Sequence, residues 1–207
     1  MKKGVFVVIE SSDGSDKSDL AARVVDMLMD EGSKVRMFHP GTLIGEVVEH
    51  GSNNKGLESH AKYLLYCASI WELATDIITA LNSGTNVLMG HYVFSALVRP
   101  AAEVWNILIR IWFIINILFI MQDGTRLKWY QNIIVGLPQP DAVIYWHENA
   151  IDQETSHRIK KKFKKLRNKR WYDVENEGAI QNRKEVVAEI IRKEFANGNG
   201  HEVEMFS

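Results

Sequence analysis

Short apolar runs alternate along the chain with stretches whose apolar residues recur every three or four positions. Val5 to Ile9 is an unbroken run of valine, phenylalanine and isoleucine, ended by Glu10 and the turn-rich SSDGSDKSD, which is the pattern of a short buried strand. Leu20, Val24, Met27 and Leu28 then fall at helical spacing as far as Glu31-Gly32. KVRMF (Lys34 to Phe38) predicts a second strand, closed by His39-Pro40-Gly41. A long helix is expected from Glu58 to Leu81, stopped by Asn82-Ser83-Gly84. NVLM (Asn86 to Met89), AVIYW (Ala142 to Trp146) and WYDV (Trp171 to Val174) predict three more strands, and Ile180 to Phe195 a final amphipathic helix. Short apolar strands alternating with helices imply an α/β fold: a parallel sheet of five strands with helices on both faces. No internal repeat and no low-complexity linker interrupts the order.

Composition narrows the class without naming a function. With 207 residues, 46% of them hydrophobic and 25% charged, the chain is unlike collagen, a disordered tail or a disulfide scaffold. The expectation is one domain over residues 1–207. Cys67 is the single cysteine, so no disulfide can form within the chain and a reducing, cytoplasmic setting is expected. The N-terminal apolar run is too short for a signal-peptide core.

The net charge of −1 hides an asymmetry. RIKKKFKKLRNKR (Arg158 to Arg170) holds nine of the 25 basic residues and no acid, leaving 16 against 26 acidic ones elsewhere. Ile159, Phe163 and Leu166 give that segment a thin apolar seam. A solvated basic helix and an anion-binding one are both open readings, but no nucleic-acid partner is expected. Val104 to Met121 is an 18-residue apolar segment broken only by Asn106, Arg110 and Asn116. A spanning helix needs about 20 apolar residues, and a central arginine costs roughly 3 kcal/mol on insertion. A buried or dimer-forming helix is therefore favoured there, with membrane contact and an exposed insert as alternatives.

The chemistry is concentrated between the first strand and the first helix. A phosphate-binding loop needs glycines framing its span so that backbone amides can curl round phosphate oxygens, then a lysine for charge and a hydroxyl for magnesium. Here the segment reads Ser11-Ser12-Asp13-Gly14-Ser15-Asp16-Lys17-Ser18. Lys17 and Ser18 are in place, whereas Ser11 and Asp16 stand where the framing glycines belong. On the pattern alone, a polar turn capping a helix is an equal reading.

Further segments match in order. GVFVVIESSDGSDKS, LLYCASIWE (Leu64 to Glu72), HYVFSA (His91 to Ala96), GLPQPD before the fourth strand, and WYDVENEGAI together resemble the thymidylate kinase family over most of the chain. The resemblance implies a P-loop kinase fold of three layers, binding ATP with magnesium on one side of the loop and dTMP or a related pyrimidine monophosphate on the other. It implies nucleotide contacts from Gly14, Ser15, Lys17 and Ser18, with Ser18 on the metal and Lys17 at the β- and γ-phosphates. It places Asp13 at the acceptor's sugar hydroxyl or phosphate, Phe38 and Tyr66 flanking the base, and Tyr92 near the sugar. It also implies a lid over about residues 148–170, with Arg158, Arg167 and Arg170 as candidates to supply charge and Arg158 assigned the catalytic role, and pairing into a homodimer.

The departures matter as much. Ile70 stands where the family has an arginine, and Gly90-His91 where it has Asp-Arg. Phe38 is followed by His39-Pro40-Gly41-Thr42, without the family's phosphate-gripping arginine. His91 is thus the ionisable group left at the acceptor corner. Asp16 sets a carboxylate where a phosphate would lie, and like charges about 4 Å apart at an effective dielectric of 20 repel by roughly 4 kcal/mol. Two functions follow as expectations: a dTMP kinase, or a relative that keeps the fold for nucleotide binding or dimerisation without turnover.

Overall fold

The computed structural model describes residues 2–11, 17–39, 59–94, 128–129, 131–146, 170–174, 180–198 and 203–207. Five strands form one sheet: β1 (Phe6–Ser11), β2 (Val35–Phe38), β3 (Asn86–Met89), β4 (Ala142–Trp146) and β5 (Arg170–Val174). Their order is β2-β3-β1-β4-β5 and every pairing is parallel. Three longer helices accompany them: α1 (Lys17–Asp30), α2 (Ser59–Asn82) and α3 (Ile180–Asn197). The expected elements are all present, with ends shifted by one or two residues.

Period-2 alternation divides the core into two halves. Phe6 and Val8 of β1, Val87 and Met89 of β3, and Val143 and Tyr145 of β4 face α2, where Tyr63, Cys67, Ile70, Ala74, Ile77 and Leu81 receive them. Val7 and Ile9, Leu88, and Ala142 and Ile144 face the other way, onto Leu20, Val24 and Leu28 of α1 and Val187 and Ile191 of α3. The sheet is therefore covered on both sides, which is why its strands read as continuous apolar runs. Within α2, Tyr63 to Asn82 is long and apolar enough to cross a membrane by length and composition. One face of it, Tyr63, Cys67, Ile70, Ala74, Ile77 and Leu81, packs against the sheet, while Leu64 and Trp71 are exposed.

The stops are local chemistry. Gly32 and Gly84 have φ of +83° and +76°, the left-handed conformation that glycine adopts at no steric cost. Each closes its helix with the same pair of bonds: Gly32 N to Met29 O and Ser33 N to Leu28 O after α1, Gly84 N to Leu81 O and Thr85 N to Ala80 O after α2. Polar side chains pin the start of β1. The Asn86 amide oxygen accepts from Val5 N at 2.9 Å, and the Asp141 carboxylate accepts from Phe6 N at 2.8 Å. The aspartate of GLPQPD is thus a fastener for the central strand. Residues 204–206 lie against the turn before β4, with Gly136 N bonded to Phe206 O, Phe206 N to Leu137 O and Gln139 N to Glu204 O. The Phe206 ring meets Phe94 edge-on at 6.0 Å.

The segments 104–121 and 148–169 lie outside the described residues, and with them the lid and the apolar helix expected there. Arg170 is the exception. It opens β5, and its guanidinium lies 2.9 Å from the buried Glu194 carboxylate of α3, so it ties strand to helix.

Candidate functional site

Parallel strands end at a common edge, and ligands of open α/β sheets bind beyond it. Here that edge gathers Ser11 of β1, Phe38 of β2 and the turn after Met89 of β3. In the order β2-β3-β1-β4-β5, β2 lies to one side of β1 and β4 to the other, so the direction in which the chain proceeds reverses beside β1, the position at which open α/β sheets take ligands. Helix α1 begins at Lys17, directly past the end of β1. Its first amides have no partner within the helix, so its N-terminus suits an anion.

One corner of this edge centres on a residue that motif reading passes over. Glu10 follows Phe6 and Val8 in the alternation and so faces α2. Its side chain is 0% exposed. Glu10 Oε1 accepts from Tyr92 N at 2.9 Å, and Oε2 lies 3.7 Å from Nδ1 of His91. Tyr66 of α2 closes the corner from above: its hydroxyl donates to Tyr92 O at 3.2 Å, and its ring meets the His91 ring edge-on at 5.1 Å. Burial, and after it the Glu10 charge, push the Tyr66 phenol well above its ordinary range, so it stays a neutral donor. Burial likewise pushes the neighbouring Cys67 thiol up to about 11, which leaves it unreactive at neutral pH.

Of the residues expected at the site, Phe38, Tyr66 and His91 converge on this edge. Phe38 closes β2 on the α2 side of the core, with the Arg36 guanidinium 4.5 Å from its ring centroid. His91 keeps 32% of its side chain exposed. Tyr92 sits deeper than the resemblance implies. It is fully buried, edge-on to Phe6 at 5.3 Å, and its hydroxyl donates to Pro138 O at 2.7 Å. It supports the corner from behind. Ile70 of α2 is also fully buried, in the core between that helix and the sheet. Lys17 and Ser18 are fixed by the backbone as the first two residues of α1. Asp13, Gly14, Ser15, Asp16 and Arg158 lie outside the described residues.

Glu10 had a readable signal: an acid that ends an apolar strand in phase with its inward residues. What could not be read was its partner, because the Tyr92 amide reaches it only through strand pairing.

Comparison with known proteins points to one family. Residues 9–111 match the family model of thymidylate kinase. Thymidylate kinase of Danio rerio is 26% identical over 155 residues, covering 72% of this chain and 63% of the relative. The Homo sapiens enzyme is 24% identical over 148 residues, covering 70% and 61%. The Schizosaccharomyces pombe one is 26% identical over 147 residues, covering 69% and 60%. The chain thus spans less than two thirds of the length of these curated relatives. In fold it is similar to the solved thymidylate kinase of Candida albicans, with a TM-score of 0.66 at 20% identity and full coverage of both chains.

Proposed function

We propose that this chain, which belongs to the thymidylate kinase family, transfers a phosphoryl group from ATP to dTMP or a closely related pyrimidine monophosphate. The observation that carries the reading is convergence. The matched stretch 9–111 runs through β1, α1, β2, α2 and β3, and the fold brings Lys17, Phe38, Tyr66 and His91 from it to one sheet edge. Phosphoryl transfer asks a protein mainly for positioning and charge neutralisation. Position fits: a lysine and a serine open a helix at the end of the first strand, where phosphate would meet free amides. In this reading Gly14, Ser15 and Lys17 hold the nucleotide phosphates and Ser18 ligates magnesium, which neutralises phosphate charge when bound. Asp13 faces the acceptor and Arg158 adds charge from the lid. Phe38 and Tyr66 confine the base. A second copy of the chain is the proposed partner, supported by the exposed Leu64, Trp71, Trp129 and Val135 along α2 and the 128–135 segment.

A second reading, nucleotide binding or pairing without turnover, is favoured by the core burial of Ile70 and by Gly90 and Asp16. Thermal melts with ATP-magnesium and with dTMP, alongside a coupled assay for ADP, separate the two. Ligand at a hundredfold excess over its dissociation constant adds about 2.7 kcal/mol to the folded state. Shifts with turnover support the kinase, shifts without turnover support the second reading, and no shift with either ligand sinks both nucleotide roles.

The loop residues Ser11 and Asp16 are expected to limit ATP affinity. Replacing both with glycine (Ser11→Gly, Asp16→Gly) removes a repulsion of roughly 4 kcal/mol, so ATP is expected to bind up to about a thousandfold tighter by calorimetry. Unchanged affinity would show that the loop is not the limiting feature.

A further inference from the structure

We propose that residues 203–206 act as a clasp whose seat on the turn before β4 positions Tyr92, and through it the corner where β1 and β3 end; the proposal stands apart from the phosphoryl-transfer reading. The tail docks by adding a short strand. Gly136 N donates to Phe206 O at 2.8 Å, Phe206 N to Leu137 O at 2.9 Å and Gln139 N to Glu204 O at 2.7 Å, with Met205 paired antiparallel to Pro138. Phe206 adds a side-chain anchor: it meets Phe94 edge-on at 6.0 Å, and Phe94 meets Trp171 of β5 edge-on at 5.7 Å.

Tyr92 links this seat to the sheet edge. Its ring lies against Phe6, the first residue of β1, while its amide is bonded to the side chain of Glu10, near the far end of that strand. Its hydroxyl donates to Pro138 O at 2.7 Å, and Pro138 stands between Leu137 and Gln139, which hold the tail. At the edge, Tyr92 O accepts from the Tyr66 hydroxyl of α2 at 3.2 Å. Tail, turn, Tyr92 and strand ends thus form one continuous chain of bonded and packed groups, the kind of path along which a local shift is felt at a distance. Tyr92 is fully buried, so moving the Pro138 carbonyl away would leave its hydroxyl without water to replace the bond. The clasp itself is lightly held. Val203 and Phe206 are half-buried, and Glu204, Met205 and Ser207 are exposed, whereas β1 and β4 pair over five residues in the middle of the sheet. A segment with so little buried surface opens at lower free energy than the central ladder. The firmness of the edge that open α/β sheets offer to ligands therefore depends on a piece that can leave while the sheet stays folded.

The test is hydrogen exchange of single amides, read by NMR in the full chain and in variants of Phe206. The Tyr92 amide reports on the corner, and the amides of Val24 and Ile191, inside α1 and α3 on the other face of the sheet, report on the rest of the fold. Phe206→Pro removes the ring and the N–H that bonds Leu137 O in one change. It is expected to speed exchange at Tyr92 about tenfold and to alter Val24 and Ile191 less than twofold. Phe206→Leu, which keeps the N–H and an apolar side chain, is expected to restore most of the protection at Tyr92. Tyr92→Phe cuts the link to Pro138 O, so adding Phe206→Pro to it is expected to change exchange at position 92 less than twofold further. Equal acceleration at all three amides overturns the proposal, because the tail would then be only part of the global fold. Unchanged exchange at Tyr92 overturns it too, and so does a full tenfold effect of Phe206→Pro in the Tyr92→Phe background. Should Phe206→Pro fail to fold, Phe206→Ala keeps every backbone bond and is read in the same way, with a smaller rise expected at Tyr92 alone.

Discussion

Among the described residues two glutamates are almost wholly buried, and their surroundings differ. Glu194 of α3, 1% exposed, meets the Arg170 guanidinium at 2.9 Å and accepts from the Tyr172 hydroxyl at 2.6 Å, both from β5. Its cation cannot be titrated away. Glu10 meets a backbone amide at 2.9 Å and the imidazole of His91 at 3.7 Å, a ring that is one-third exposed. Both carboxylates push a neighbouring phenol upward: Tyr172 through its hydrogen bond to Glu194, and Tyr66 through burial with the Glu10 charge second. One corner is an unconditional tie between sheet and helix. The other joins two strand ends at the edge of the sheet through a backbone amide and a partly exposed ring.

The contrast is tested most strongly by removing each cation in turn. Arg170→Met leaves a buried carboxylate without its counter-charge, with Tyr172 still donating. About 2 kcal/mol of stability is expected to be lost in urea unfolding at pH 7, less than the roughly 3–5 kcal/mol of a fully buried pair because water reaches the half-exposed guanidinium. The same measurement on His91→Gln is expected to show less than about 0.5 kcal/mol, as for a partly exposed surface change. Equal losses at the two sites would erase the distinction. The smallest effect is expected at the exposed pair between α1 and α3, where Arg192 Nε donates to Glu31 at 2.9 Å. The hydrogen bond from Arg192 holds the Glu31 carboxyl below its ordinary 4.5. A lowered carboxylate stabilises the fold fully above its ordinary value and loses that contribution as pH falls through the lowered one. Glu31→Gln is therefore expected to be slightly less stable than the parent at pH 7 and to merge with it in acid. A difference that persists at low pH would assign the effect to packing.

The sheet could be read from the chain because each strand is a short apolar run bounded by polar turns, and burial on both faces demands that signal. Gly32 and Gly84 marked two helix ends for the same local reason. The site was less accessible. Lys17, Phe38, Tyr66 and His91 were visible through motif order, whereas the depth of Tyr92 was not: its hydroxyl finds Pro138 O across 46 residues. Arg170 read as a candidate lid arginine in a basic segment, whereas it opens β5 and pairs with Glu194 of α3. Glu10 read as the residue that ended a strand. In each case the missing information was a partner far away in sequence, which periodicity does not encode.

Residues 204–206 carry a consequence for the order of events during synthesis. The amides of Gly136 and Gln139 and the carbonyl of Leu137 find their partners in a segment made more than sixty residues later. On a ribosome adding about 5–20 residues each second, that turn waits several seconds with its hydrogen bonds unmade. β1, β3 and β4 can pair as soon as Trp146 has emerged, but the face where Phe94 meets Phe206 cannot be completed during elongation until Phe206 has been added. A nascent chain stalled between those points would present that aromatic surface to chaperones, and release of the tail would be the event that withdraws it.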